Sequence, residues 1–234
     1  MHTRALRRFS VAGRLARWLA LFALLWPAVV LSEPHSGSRK SEHAAHTREP
    51  TLRLQVKEAA NSLHINYSLK NGNQGIVVYD RLVRELRKGT VRDPEQIQRF
   101  VNGTTLRLWL GEAPEPDRMA SFGFVPHITK LAANATITRT LRVSAPASEY
   151  SAWLPDDPKF VEAPLHQVVM YMEYESSKGL KLQRSIVFPD AFQLALTAQR
   201  GDVKVVKSNP VPLETRALRV TDPSFPRFRI EGDP

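Results

Sequence analysis

The 234-residue chain contains no cysteine. This absence excludes a disulfide scaffold, a cysteine-ligated metal site, a thiol nucleophile and a lipidated cysteine. Aromatic residues are few, at 8%, but 42% of the residues are apolar, which is close to the globular average and excludes a fully disordered chain. A chain of this length buries one substantial core, or one core with a small appendage.

Acidic residues are missing from the first 32 positions, which hold five arginines and then the 14-residue apolar run from Trp18 to Leu31. A basic start followed by such a run is the layout of a secretory signal peptide, and the run is shorter than the roughly 17–25 residues that span a bilayer. Val30 and Ser32 precede the expected cut before Glu33. The sequence therefore predicts a signal peptide at 1–32 and a periplasmic or secreted protein, with an uncleaved membrane anchor as the alternative.

The rest of the chain carries 28 basic and 23 acidic residues without a stripe of interleaved basic and aromatic residues, so nucleic acid is not a predicted partner. Residues 33–50 are polar and non-periodic, which predicts a disordered tether. Residues 51–207 are expected to form the folded domain. The proline-rich segment 208–234 is predicted to be a poorly ordered tail.

From residue 51 onward the apolar residues recur with a period of two, which is typical of half-buried strands. This alternation is clearest at Leu52 to Val56 and at Leu63 to Leu69. His166 to Tyr174 is apolar on both faces and is predicted to be a central strand. Asn102-Gly103 between apolar segments predicts a hairpin with a type I′ turn. Residues 80–88 are ambiguous, with Leu82, Val83 and Leu86 at helical spacing.

The pattern as a whole predicts an all-β fold, an antiparallel immunoglobulin-like β-sandwich of about seven to nine strands. A short edge strand is expected at 122–125, and a final hairpin is expected to join 191–197 to 203–206. Four prolines between residues 144 and 165 predict a long ordered loop.

One segment resembles a known family. Phe122-x-x-x-Pro126, then Leu131, then Leu141-Arg142-Val143 is similar to the middle of the first domain of periplasmic pilus-assembly chaperones. The resemblance covers residues 122–143 and implies an immunoglobulin-like fold. The basic cleft residues of that family have no matching positions here, and the 44 residues after position 190 are too few for its second domain. The resemblance therefore concerns the fold rather than the activity.

No catalytic motif is found: the chain has neither a Gly-x-Ser-x-Gly elbow nor a glycine-rich phosphate loop. The paired acids Asp156 and Asp157 are interpreted as solvated loop residues. We therefore predict no catalytic residue and no cofactor, with a hydrolase of unrecognised site as one alternative.

Metal binding is the other alternative. His35, His43 and His46 lie on the tether, and Met170 and Met172 lie on one strand; imidazole and thioether ligands suit copper in an exported protein. We interpret the histidines as spectators and the methionines as core residues, so no metal site is predicted.

Tyr150 and Trp153 lie in the 144–165 loop and are the candidate partner-binding residues, because exposed aromatics on a rigid loop are typical protein anchors. The alternative is that this loop folds back and caps the sandwich. The sequence thus predicts an exported, non-enzymatic binding domain that engages a protein partner through this loop or through a sheet edge.

Overall fold

The structure, a computed structural model, describes residues 48–86, 89–92, 95–113, 123–195 and 201–225. The predicted signal segment, the tether histidines and the last nine residues lie outside these ranges. The described residues are all-β and contain no helix, so none of them forms a helix of the length and apolarity needed to cross a membrane.

Fourteen strands are found in the described residues, against the seven to nine predicted. They are β1 (Thr51–Ala59), β2 (Ser62–Lys70), β3 (Ile76–Leu86), β4 (Gly89–Arg92), β5 (Gln98–Asn102), β6 (Thr105–Leu110), β7 (Gly123–Leu131), β8 (Thr136–Ser144), β9 (Ala147–Ser148), β10 (Phe160–Ser176), β11 (Leu182–Arg184), β12 (Phe192–Leu194), β13 (Lys204–Lys207) and β14 (Val211–Val220). The ambiguous stretch 80–88, whose apolar residues have helical spacing, is strand as far as Leu86, where β3 ends.

The strands form two sheets. The smaller sheet has the order β1-β2-β8, and the larger sheet contains the other eleven strands. The alternating apolar residues of β1 and β2 are buried against the larger sheet as predicted, with Leu63, Ile65 and Leu69 fully enclosed. Two sheets packed on a shared core in this way are compatible with a β-sandwich.

The 17-residue strand β10 is the centre of the larger sheet, which confirms the prediction of a central strand. It pairs with β14 over 160–168, β6 over 167–172, β13 over 171–174 and β3 over 174–176. Met170 and Met172 are completely buried in the core between the sheets, which confirms their interpretation as core residues.

The prediction of a purely antiparallel fold is wrong, because β6 runs parallel to β10 and β9 runs parallel to β14. The outer face of the larger sheet is also covered. Trp109 points away from the leucines of β6 and stacks on Tyr171 in a second apolar cluster that includes Phe225. The larger sheet therefore buries both of its faces here.

Three boundary predictions are wrong. Residues 208–225 are not a loose tail, because β14 pairs with β10 along nearly its whole length. The final hairpin does not form, because β12 pairs with β11 and β7 whereas β13 pairs with β10. Residues 123–125 belong to the nine-residue β7, so the strand is longer than predicted. Among the described strands these three residues pair only with β3, and β12 meets β7 at Ile128.

The hairpin predicted at Asn102-Gly103 is confirmed as β5–β6, with a shifted turn. Asn102 pairs with Thr105, so the two loop residues are Gly103 and Thr104. Only Gly103 has a positive φ, of 56°. A positive φ at the first loop position alone fits a type II′ turn rather than the predicted type I′ turn.

Candidate functional site

The predicted partner-binding residues Tyr150 and Trp153 are buried, with relative exposures of 7% and 5%. Tyr150 forms an isolated backbone bridge with Arg99, whose guanidinium lies 5.2 Å from the centre of the tyrosine ring. Trp153 and Phe100 both belong to the second apolar cluster, on the outer face of the larger sheet with Trp109 and Tyr171. The expected exposure of these two side chains is therefore wrong, because the loop folds back and covers the outer face of the larger sheet. Their assignment as partner-binding residues stays a prediction.

The residues behind the enzyme and metal alternatives are dispersed. Asp156 and Asp157 are exposed, as expected for solvated loop acids, and His166 is exposed on β10. No group of three His, Cys, Asp or Glu side chains suited to a metal ion occurs in the described part of the chain. His35, His43 and His46 lie outside it.

A β-bulge in β3 creates the most distinctive polar site of the described residues. Tyr79 pairs with Ile128 and Arg81 pairs with His127, so Asp80 is one extra residue on β3. A bulge of this kind bends the strand and redirects its side chains. As a result, the consecutive residues Asp80 and Arg81 both line one pocket between β3 and β8.

This arginine pocket has a volume of about 270 Å³. Its charged and aromatic lining residues are Tyr67, Asp80, Arg81, Arg92, Arg139 and Phe188. They come from four strands and from the loop between β11 and β12. Three arginines therefore face two acids, Asp80 and the nearby Asp190, and the pocket has an excess of positive charge.

Two of the arginines are held against the β11–β12 loop. Arg81 donates two hydrogen bonds of 2.5 Å to the exposed carboxylate of Asp190. Arg92 donates to the carbonyl of Val187 at 3.1 Å. Both guanidinium groups also lie over the ring of Phe188, 5.1 and 5.0 Å from its centre. These contacts fix the two cationic groups at the pocket wall.

Asp80 is buried, accepts hydrogen bonds from the Thr129 hydroxyl at 2.8 and 2.9 Å, and lies 3.4 Å from Nε of Arg139. Burial raises the pKa of Asp80 above its usual value, and the Thr129 and Arg139 contacts offset only part of this effect. Burial also raises the pKa of Tyr67, with a smaller contribution from Asp80, so its phenol stays protonated.

The hydroxyl of Tyr67 has no hydrogen-bond partner among the described residues, although the side chain is almost fully buried. A buried, unsatisfied hydroxyl is uncommon and costs stability unless a ligand or water meets it. A neutral phenol beside three guanidinium groups is a set of hydrogen-bond donors. Such a set is chemically suited to the oxygens of an anion.

Two other cavities contain buried acids that are already satisfied. In a cavity of about 340 Å³, Glu175 accepts hydrogen bonds from Tyr79 Oη and from Gly201 N. Glu173, beside Trp109, accepts bonds from the indole and from the backbone of Glu112 and Ala113. Neither acid lacks a partner, so the arginine pocket is the stronger candidate site.

The side of β8 that faces away from β2 borders this pocket. Two backbone hydrogen bonds just beyond the ends of the β2–β8 pair, from Asn71 N to Ala135 O and from Ala145 N to Asn61 O, show which residues of β8 bond to β2. They are the odd-numbered residues. In an antiparallel pair the alternate residues direct their backbone groups away from the partner strand. These are Thr136, Thr138, Thr140, Arg142 and Ser144, all exposed. No described strand other than β2 pairs with β8.

The alternation along β8 offered one signal for this site. Arg139 occupies an inward position between Ile137 and Leu141, where a charge requires a partner across the core. No protein-family model, curated protein or solved structure matches this chain. Its function must therefore be inferred from the site.

The raised pKa of Asp80 makes a pH-dependent prediction. A carboxyl group whose pKa is higher in the folded protein adds stability when protonated, and this contribution is lost as the pH rises from about 4 through the raised pKa. Asp80→Asn mimics the protonated group. We expect Asp80→Asn to raise the unfolding midpoint in urea at pH 7 relative to the parent, with a difference that shrinks by pH 4. A midpoint lowered equally at both pH values would contradict this.

Proposed function

We propose that this protein is an exported, non-enzymatic binding domain of the periplasm, whose partner is a protein that adds an extended segment to the edge of β8. One observation carries the proposal: a nine-residue strand presents exposed side chains and outward backbone groups at the border of the smaller sheet. Open sheet edges are templates for strand addition, and native proteins either cover them or use them.

The burial of Tyr150 and Trp153 favours the edge over the loop as the binding surface. We also propose that the sandwich is immunoglobulin-like, because the chain crosses between the sheets from β2 to β3, from β7 to β8 and from β8 to β9. The copper-binding and hydrolase alternatives gain no supporting observation from the described residues.

Thr138→Pro is expected to abolish partner capture without unfolding the domain. Proline removes the amide that points away from β2 and is tolerated at an edge position whose amide faces outward. Thr138→Val is the matched control, because it keeps both the amide and the strand propensity. The measurement is in-cell crosslinking by a photoreactive amino acid placed at position 140. The captured protein is then identified by mass spectrometry.

We expect a crosslinked species in the parent and in Thr138→Val, and a background signal in Thr138→Pro. Thermal melts of all three proteins establish that the domain is folded, and Thr136→Pro replaces Thr138→Pro if the latter melts early. Equal capture by a folded proline variant, or no capture in the parent, would reject strand addition at β8.

A further inference from the structure

We propose that the arginine pocket receives the side chain of an aspartate or glutamate in the segment that adds to β8. This inference rests on the proposed function and specifies the chemistry of its partner. It assigns a role to the pocket, which strand addition alone does not require.

The pocket lies at the edge of the sheet rather than over one face. Arg139 and Leu141 face the core and Thr140 faces outward, yet all three line the pocket. These residues are at the centre of β8, with three strand residues on each side. A segment that pairs with the whole edge therefore passes the pocket with an internal residue, so a side chain rather than a chain terminus enters it.

The donor set matches a carboxylate. Arg81 already holds the carboxylate of Asp190 through two parallel hydrogen bonds, which shows that this wall accepts carboxylate geometry. Arg92 and Arg139 add positive charge, and the Tyr67 hydroxyl is a buried donor that no described residue satisfies. An incoming carboxylate would accept from this hydroxyl and from the guanidinium groups.

The outer face of the smaller sheet favours the same class of partner. The register of β1, β2 and β8 places 15 side chains on this face, and none of them is acidic. The lysines and arginines on this face are Arg53, Lys57, Lys70 and Arg142. Lys57, His64 and Arg142 stand in one cross-strand row, where neighbouring basic groups are unfavourable unless an anion lies nearby. An acidic segment along β8 supplies that negative charge.

The test uses random nine-residue peptides displayed on phage and selected on the full-length protein. We expect enriched peptides to alternate apolar and polar residues, to carry an acidic residue at one fixed position, and to lose binding to Thr138→Pro. A selected peptide is then synthesised in two forms, with glutamate or glutamine at that position. The glutamate form should bind at least ~10-fold more tightly, as expected for a charge-assisted contact.

Variants of the pocket connect this preference to the site. Arg81→Gln and Tyr67→Phe should each reduce the preference for glutamate while leaving the glutamine peptide nearly unaffected. Arg216→Gln, an exposed arginine on β14 paired with Glu162, is the matched control and should keep the preference. Thermal melts confirm that each variant is folded; Tyr67→Phe removes an unsatisfied hydroxyl and should not melt earlier than the parent.

The outcomes separate the two proposals. If no peptide is enriched, or if enriched peptides bind Thr138→Pro as well as the parent, strand addition at β8 fails. If edge-dependent peptides are enriched without an acidic preference, or if the preference survives Arg81→Gln and Tyr67→Phe, the pocket inference is wrong and the edge proposal stands.

Discussion

A chain that ends at Lys207 is expected to lose its cooperative fold. The deletion removes β14, the partner of β10 over 160–168, and leaves β9 without the only strand that it pairs with among the described residues. It also removes the buried side chains of Leu213, Val220 and Phe225. Their burial is worth about 1.5–3 kcal/mol each, which together approaches the 5–15 kcal/mol that stabilises a typical domain.

The measurement is unfolding in urea, followed by circular dichroism and by tryptophan fluorescence. Leu213→Asp in the full-length chain should reproduce much of the loss, because it places a charge in the core between the sheets. Arg219→Asp introduces the same residue at an exposed position of β14 and should stay close to the parent. A truncated chain that unfolds in one sharp transition at the midpoint of the parent would show that β14 is dispensable.

The predicted tail was wrong for a reason that also affected the predicted loop. In both segments, prolines were interpreted as marks of irregular structure, yet Pro164 lies in β10 and Pro212 lies in β14. At Pro164 the strand β10 pairs only with β14 among the described strands, because β6 begins to pair at Gln167. Proline is tolerated where one side of a strand has no neighbouring strand that needs a hydrogen bond from the backbone amide.

The strands themselves were predictable because their signal is local. Burial on one face forces alternation along each strand, as in Leu63 to Leu69, and a tight turn needs a residue such as Gly103 that accepts a positive φ. Burial on both faces gives the continuous apolar run of β10. Pairing partners are not local, so the parallel β6–β10 pair could not be deduced from either strand alone.

The arginine pocket was not predicted, since its members are far apart in the sequence. Tyr67 had the appearance of an ordinary apolar strand residue, and Phe188 lies in a loop. Asp80 and Arg81 reach one pocket only because a bulge shifts the register of β3 by one residue. A bulge leaves no clear mark in the amino-acid pattern. The inward position of Arg139 was the one feature that alternation made visible.

Glu149→Ala is expected to be the most destabilising point substitution near the 144–165 segment, at about 4 kcal/mol. Glu149 is almost completely buried and accepts a hydrogen bond of 2.6 Å from Val101 N and one of 2.7 Å from Val220 N. It thereby connects β5 with the end of β14. Removing the carboxylate leaves two buried amide donors unsatisfied, each costing about 1–3 kcal/mol, and opens a cavity in addition.

Glu149→Gln distinguishes hydrogen bonding from packing in this effect. A carboxylate accepts through both oxygens, whereas an amide accepts through one and presents an NH₂ group to the second donor. Glu149→Gln should therefore lose about half of the stability lost by Glu149→Ala, although it fills the same space. Glu162→Ala, which removes an exposed acid of β10 paired with Arg216, is the control and should change the unfolding free energy by less than about 1 kcal/mol. If Glu149→Gln matched the parent in urea unfolding, shape rather than the two amide contacts would account for the burial of this acid.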